Sequence, residues 1–278
     1  MTDAFWLVVN AASGGNSPAA VAEVKAALAS AGQPVARVHD VAEAGLPEQP
    51  LLRAAGVTRL AIFAGDGTVN TVACALEGWD GAVLVLPGGT ANLLARALHG
   101  ACAAPRIASG ISAFSALRRP CIRSSAGTAL VELLAGPGAT WSDVREELRD
   151  GAVGGIAEKA VAALRQSAAG PMVVLADPPL GRTEGYAGIR LEVSDEGLVA
   201  EGYGAQTVGD YLRQGLALLR RNFRDGPHEP LGCHRSVLCR SAESRPIPLM
   251  IDGERREGGA QERFFLAPFA LDLLARPA

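Results

Sequence analysis

The residues able to do chemistry sit in four short segments. The first is Ala64-Gly65-Asp66-Gly67-Thr68-Val69-Asn70, which lies between the apolar run Leu60 to Phe63 and a stretch where Val69, Val72, Ala73 and Leu76 recur at helical spacing. Glycines let a backbone approach a phosphate closely, a helix start offers unpaired amides, and Asp66 could hold a magnesium ion bridging phosphate oxygens. A hairpin turn at Asp66-Gly67 is the competing reading, but a hairpin needs a second strand and a helical pattern follows. A Rossmann fingerprint is disfavoured too, because the last glycine of G-x-G-x-x-G would fall at Asn70.

Pro87-Gly88-Gly89-Thr90-Ala91-Asn92 repeats the same physics, with the Thr90 hydroxyl and amide both able to donate to phosphate or ribose. Asn10-Ala11-Ala12-Ser13-Gly14-Gly15-Asn16 is a third such loop, which alone could be a plain strand-to-helix connection. The fourth segment, Ile251-Asp252-Gly253-Glu254, reads by pattern alone as the Asp-Gly turn of a hairpin.

Strands and helices alternate around the first three loops. Phe5 to Asn10, Val35 to Val38, Leu60 to Phe63 and Val83 to Leu86 are short continuous apolar runs, and the helix after the first carries Ser17-Pro18 at its start and Gly32 at its end. That alternation predicts a parallel sheet covered on both faces, with ligands bound at the carboxyl ends of its strands, where all three glycine turns fall. From about residue 122 the pattern changes. Helices are expected near 142–149, 156–166 and 208–221, and strands at 189–193, 198–203, 236–240, 247–251, 262–266 and 269–275. The expected fold is therefore α/β, with a nucleotide-binding parallel-sheet domain over 1–121 and a mostly β domain over 122–266. The segment 267–278 is expected to pack back on the first.

Composition removes several classes. With 278 residues, 49% of them hydrophobic, the chain can build a full core, and 26 basic against 29 acidic residues give a net charge of −3, so no nucleic-acid partner is expected. No apolar run reaches the roughly 18 residues of a membrane helix, and the cytoplasm is the expected compartment. Only Lys25 and Lys159 are lysines, both in helical stretches, so a phosphate-loop lysine is missing and nucleotide chemistry must use backbone amides and arginines. The five cysteines are scattered; Cys233, His234 and Cys239 lack the spacing and fourth ligand of a zinc site. None of the four histidines is assigned to catalysis, although His39, after the second strand, is placed at the border of a nucleotide site.

The N-x-x-S-G loop at Asn10, the [GA]-G-D-G-T-x-N turn at 64–70, the P-x-G-T-A-N turn at 87–92 and the late D-G-E at 252–254, in that order, resemble the catalytic domain of the diacylglycerol kinase family, in particular its soluble bacterial lipid kinases. The resemblance implies an α/β domain of NAD kinase and diacylglycerol kinase type followed by a β sandwich, with the active site between them. It implies that Gly65, Asp66, Gly67, Thr68, Asn70, Gly89 and Thr90 contact the phosphates of ATP and Mg²⁺, with Asn10 and Ser13 supporting that loop. Glu254 becomes the general base for a lipid hydroxyl, with Asp252 as its orienter, and Glu196, in Glu196-Gly197-Leu198, stands where the family's D-G-L turn offers a metal ligand. The implied acceptor is diacylglycerol or a related lipid at a membrane surface, reached by transient peripheral contact to which Arg213, Arg220, Arg221 and Arg224 could contribute. A kinase of a soluble acceptor such as NAD and a non-catalytic ATP-sensing protein are the alternatives, and pairing as a homodimer stays open. The chain departs from the pattern at Ala64, in place of a glycine, and at Thr71 and Leu93, where carboxylates often stand.

Overall fold

The run Phe5 to Val9 is buried at every position, so its backbone polar groups need strand neighbours on both sides. The computed structural model, which describes residues 4–12, 16–141, 171–204 and 228–277, supplies them. The helices expected at 142–149, 156–166 and 208–221, Ser13, and the arginines 213, 220, 221 and 224 lie outside the described residues.

The chain divides into two units, one running to Pro120 and resuming at Pro268, the other spanning Cys121–Ala267. The first contains β1 (Ala4–Val9), α1 (Pro18–Ser30), β2 (Val35–Asp40), α2 (Val41–Ala44), α3 (Gln49–Ala54), β3 (Val57–Ala64), α4 (Asp66–Ala75), β4 (Ala82–Pro87), α5 (Leu93–His99), α6 (Ala104–Ser109) and β5 (Ser115–Leu117). The second contains β6 (Pro120–Ser124), β7 (Gly127–Ala129), β8 (Glu132–Ala135), β9 (Val173–Asp177), β10 (Pro179–Leu180), β11 (Gly188–Val193), β12 (Leu198–Tyr203), β13 (His228–His234), β14 (Ser236–Ser241), β15 (Pro248–Ile251), β16 (Glu254–Glu257) and β17 (Gln261–Pro268). The last strand, β18 (Asp272–Ala275), returns to the first unit.

The first sheet has the order β2-β1-β3-β4-β18-β5, parallel except at β5. The chain leaves β1 for β2 on one side and then crosses to β3 on the other, so the topological switch point lies between β1 and β3, where open α/β sheets bind ligands. Register aligns the strand ends there: Val9 pairs with Phe63, and Phe63 with Leu86. Alternate side chains serve the two faces. Leu7, Val9, Ala61, Phe63, Leu84 and Leu86 share one core with Val24 and Leu28 of α1 and Ile107 of α6, while α3, α4 and α5 pack on β3 and β4. As the sequence predicts, the Ser17 hydroxyl caps α1 by accepting from the Ala20 amide at 3.2 Å, and Gly32 follows the helix with φ +76°.

The second unit is a sandwich of two sheets, β10-β9-β14-β17-β6-β7 and β13-β12-β11-β8-β15-β16. Ile122, Val173, Val237 and Phe264 from the first meet Leu133, Ile189, Leu191 and Leu249 from the second in one core. On the outer face of the second sheet Arg190 donates to Glu132 at 2.6 Å, Glu192 at 2.7 Å and Glu201 at 3.2 Å. Burial pushes the Tyr203 phenol up, and its hydrogen bond to Glu201 adds to the shift. Burial pushes Glu201 the other way from its donors, but the hydrogen bonds from Tyr203 and Arg190 prevail and hold it below the usual carboxylate range. The mixed α/β first part and the β-rich second part are those expected.

His99 ends α5 against the Phe114 ring, 5.3 Å between centroids, with its Nε2 buried and without a partner. Desolvation lowers its pKa, only partly opposed by a hydrogen bond to the Val85 backbone. A lowered folded pKa means that the unfolded chain binds the proton more readily, so stability is fully present above about pH 6.5, the free imidazole value, and declines as pH falls below it. The unfolding midpoint of His99→Leu should therefore depend less on pH over that interval than that of the wild type; parallel profiles for the two proteins would contradict this.

Candidate functional site

The three glycine loops meet at the carboxyl edge of β1, β3 and β4. Asp66, at the start of α4, accepts from the amides of Asn92, at 2.8 Å, and Leu93. Both are amides that the start of α5 would otherwise leave unpaired. Asn92 can offer its amide in this direction because it adopts the left-handed conformation, φ 53° and ψ 48°, one of few residue types to do so readily. Its side chain then closes the loop on itself: Oδ1 accepts from the Gly89 amide at 2.7 Å and Nδ2 donates to the Gly89 carbonyl at 2.9 Å.

Steric limits explain the glycines here better than φ does, since Gly65, Gly88 and Gly89 are not among the left-handed residues. A Cβ on Gly89 would stand 2.6 Å from the Cα of Gly65, and one on Gly88 would stand 2.7 Å from the Ala64 nitrogen. The loops after β3 and β4 are thus packed backbone on backbone. Ala64 ends β3 and is not among the left-handed residues, so its backbone accepts a side chain without strain.

The loop after β1 joins the same edge. Asn10 Nδ2 donates to the Thr68 hydroxyl at 2.9 Å, its Oδ1 accepts from the Ala12 amide at 3.1 Å, and its own amide donates to Oδ1 of buried Asn16 at 3.2 Å. One turn into α4, the Asn70 carboxamide oxygen accepts from the Cys74 thiol at 3.7 Å, and the Thr71 hydroxyl donates to the Gly67 carbonyl at 2.8 Å. Gly89 and Thr90 are exposed on the loop tip. The arrangement is a contiguous, amide-rich edge at a switch point and suits a polyphosphate.

The structure therefore brings Asn10, Gly65, Asp66, Gly67, Thr68, Gly89 and Thr90 together on adjoining loops. The Asp66 carboxylate, expected at a magnesium ion, also accepts from two backbone amides and so tethers the two loops. Asn92 and Asp40 are the residues that sequence reasoning passed over. Asp40 Oδ1 accepts from the Ala11 amide at 3.2 Å and from the Ala42 amide at 3.0 Å. A lone Asn in a glycine-rich turn and an Asp before a short helix were the available signals. His39, placed at the border of a nucleotide site, is instead buried, with Nε2 2.8 Å from the Gly45 carbonyl and its ring stacked on Trp6, so it serves the fold.

In the second unit, Asp252 and Gly253 have φ of 45° and 88° and join β15 to β16 in a two-residue turn of the primed kind. The hairpin reading of this segment holds. Asp252 is 4% exposed and accepts from the amides of Leu130 at 2.6 Å, Val131 at 2.9 Å and Glu132 at 3.0 Å. It was expected to orient Glu254; its carboxylate accepts from the amides of residues 130–132 and so anchors the turn that leads into Glu254. Glu254 is exposed at the start of the edge strand β16. Glu196 is exposed on the turn between β11 and β12, and among the described residues no group of three or more His, Cys, Asp or Glu gathers as a metal site.

Residues 4–119 match the family model described as the diacylglycerol kinase catalytic domain. The resemblance drawn from the motifs is thus shown over the first unit. A solved diacylglycerol kinase from Bacillus anthracis str. Sterne is similar to this chain with a TM-score of 0.63 at 15% identity, covering 99% of this chain and 97% of its own. Another structure from that organism, proposed to be a diacylglycerol kinase, gives a TM-score of 0.61 at 14% identity, covering 99% and 98% of the two chains. At these identities the likeness shows the fold. No curated protein matches the chain.

Gly89→Ala tests the backbone contact. The added methyl meets Gly65 backbone rather than a movable side chain, so the unfolding midpoint should fall by the equivalent of about 1–3 kcal/mol. An unchanged midpoint would show that the two loops are not in contact.

Proposed function

We propose that this chain, taken from the diacylglycerol kinase catalytic-domain match as its premise, is a kinase that transfers the γ-phosphoryl of ATP to the hydroxyl of diacylglycerol or a related lipid. The observation that carries the reading is the lacing of the loops at the β1/β3 switch point, where Asn10–Thr68 and Asp66–Asn92 bonds fix the loops after β1, β3 and β4 along one edge beside the start of α4. Phosphoryl transfer asks little covalent chemistry of a protein and much positioning and charge neutralisation, which such an edge supplies.

MgATP is the substrate in this reading. Magnesium keeps several waters and binds through phosphate oxygens and at most one or two carboxylates, so it does not need a cage of acidic residues. When bound it neutralises charge on the bridging phosphates. The chain's own residues bind and orient: the Gly67 and Thr68 amides, which the start of α4 does not use, receive phosphate oxygens, and the Asn10 and Asp66 bonds keep the neighbouring loops aligned on them. Glu254 is the general base proposed for the acceptor hydroxyl, whose proton needs removal only as bond formation proceeds. Its backbone is set by the Asp252-Gly253 turn and the three amides that hold Asp252.

Among the described residues no helix is long and apolar enough to cross a membrane. Access to a lipid acceptor is accordingly proposed through reversible peripheral contact with anionic membrane on the cytoplasmic side.

Incubation of the purified protein with labelled ATP, Mg²⁺ and a lipid extract should yield a labelled phospholipid. On the acceptor so identified, Glu254→Gln should lower kcat by about 10²–10⁴ with ATP affinity nearly constant. Wild-type turnover by Glu254→Gln would reject the base, and ATP binding without any phosphorylated lipid would reject the lipid acceptor.

A further inference from the structure

Arg190 lies on the face of its sheet turned away from the sandwich core, to which Ile189 and Leu191 on either side of it belong, and its side chain is only 11% exposed. Cross-strand register sets its neighbours: Glu201 of β12 stands directly opposite on one side and Leu134 of β8 on the other. Its shortest contact is nevertheless diagonal. Nε and Nη2 both donate to Glu132 Oε2, at 2.9 and 2.6 Å, two residues along β8 from Leu134. Glu132 is paired across the strands with Glu192, and like charges directly opposite on a sheet repel. Arg190 Nη2 donates to both, so one guanidinium joins carboxylates from β8, β11 and β12.

Such a cluster adds little stability, because the desolvation of buried charges largely cancels their attraction. Apolar side chains cover this face as well, as Leu134 at 6% exposure shows. What an ionic contact supplies and an apolar one does not is a defined register. A slip of β8 by one residue would turn Glu132 into the core, and a slip by two would carry it past Arg190. The hold on Glu132 therefore fixes β8 along its own axis. On its other edge β8 carries the Asp252 turn: Leu133 pairs with Ile251, so Glu132 falls opposite Asp252. The Glu132 amide donates to Asp252 Oδ1 at 3.0 Å, and its carbonyl accepts from the Asp252 amide at 3.0 Å. Glu132 thus holds Arg190 with its side chain and the turn with its backbone, and Glu254 opens the strand after that turn. The backbones of Arg190 and Asp252 are separated by two strand spacings, about 10 Å or more, so Arg190 acts on the turn through Glu132 and not by contact.

We infer that Arg190 is a positioning residue for the proposed base: by holding Glu132 it keeps the amides of residues 130–132 where they anchor Asp252, and so sets the placement of Glu254. The inference rests on the kinase reading and on Glu254 as its base. A lysine at this position keeps the positive charge but replaces the planar fork with a point charge, so the carboxylates stay neutralised while the two-bond hold on Glu132 is lost. A catalytic group displaced by about 1 Å loses about 10²-fold in rate.

The test is a double-mutant cycle on the full chain, with MgATP and the lipid acceptor identified from the extract. Arg190→Lys should lower kcat by about ten- to a hundredfold, with KM for ATP within about twofold and an unfolding midpoint close to that of the wild type. Placed in Glu254→Gln, where no base remains to be aimed, the same substitution should change kcat by less than about twofold. Glu132→Ala leaves Arg190 paired with Glu192 and Glu201 and should repeat the pattern, and it carries the test if Arg190→Lys does not fold. Equal fractional losses in the two backgrounds, or wild-type turnover in Arg190→Lys and Glu132→Ala, overturn the inference and leave the kinase reading standing. Wild-type turnover by Glu254→Gln overturns the base, absence of any phosphorylated lipid overturns the acceptor, and either takes this inference with it.

Discussion

The Asp66 carboxylate accepts from the amides of Asn92 and Leu93, and this pair of bonds turns two separate strand-to-helix loops into one surface. The same contact settles several sequence features at once. α5 begins on a negative charge, which its dipole favours, and Asn92 has to be a residue that tolerates the left-handed conformation. With the carboxylate drawing the second loop toward the first, Gly89 lies so close to Gly65 that no side chain fits between them. Under the proposed reading, a loop holding phosphates without a lysine gains most from such rigidity, because amides bind well only when already aimed.

The departures from the family pattern fit this picture. Leu93 contributes its amide to Asp66, a bond available to any residue but proline, so the missing carboxylate there does not loosen the loop. Thr71 returns its hydroxyl to the Gly67 carbonyl within its own helix. Among the described residues the ligand edge has little negative side-chain charge apart from Asp66, which two backbone amides stabilise, and Asp40, which lies toward the far strand. Backbone donors rather than side chains then dominate the field a triphosphate would meet.

Much of the first unit is legible in the sequence because its strands are buried on both faces and its helices carry ordinary start and stop signals. Four continuous apolar runs, the Ser17-Pro18 start and the left-handed Gly32 are local features, readable without the rest of the chain. The second unit is less legible. Strands β6 to β9 are short, β13 (His228–His234) is mostly exposed, and β16 (Glu254–Glu257) is charged throughout, so they lack the alternation by which a strand announces itself. Among site residues, the motif positions could be named but their bonds could not. Asp66 meets Asn92 across 26 residues and Asp252 meets Leu130 across 122, distances over which only the folded sheet decides the partner. Both aspartates looked chemical from their glycine neighbours, and both prove to hold backbone amides.

Asp66 as a tether and Asp66 as a metal ligand differ in how magnesium enters the loss. ATP affinity of the wild type and of Asp66→Asn, each measured with Mg²⁺ and with the ion chelated, separates them. In the variant an amide group faces two backbone N–H donors and can satisfy only one, so the loops come apart whatever the ion does. The account predicts the same fold loss of ATP affinity in both conditions. A loss seen with Mg²⁺ and absent without it would contradict the tether and return Asp66 to the metal.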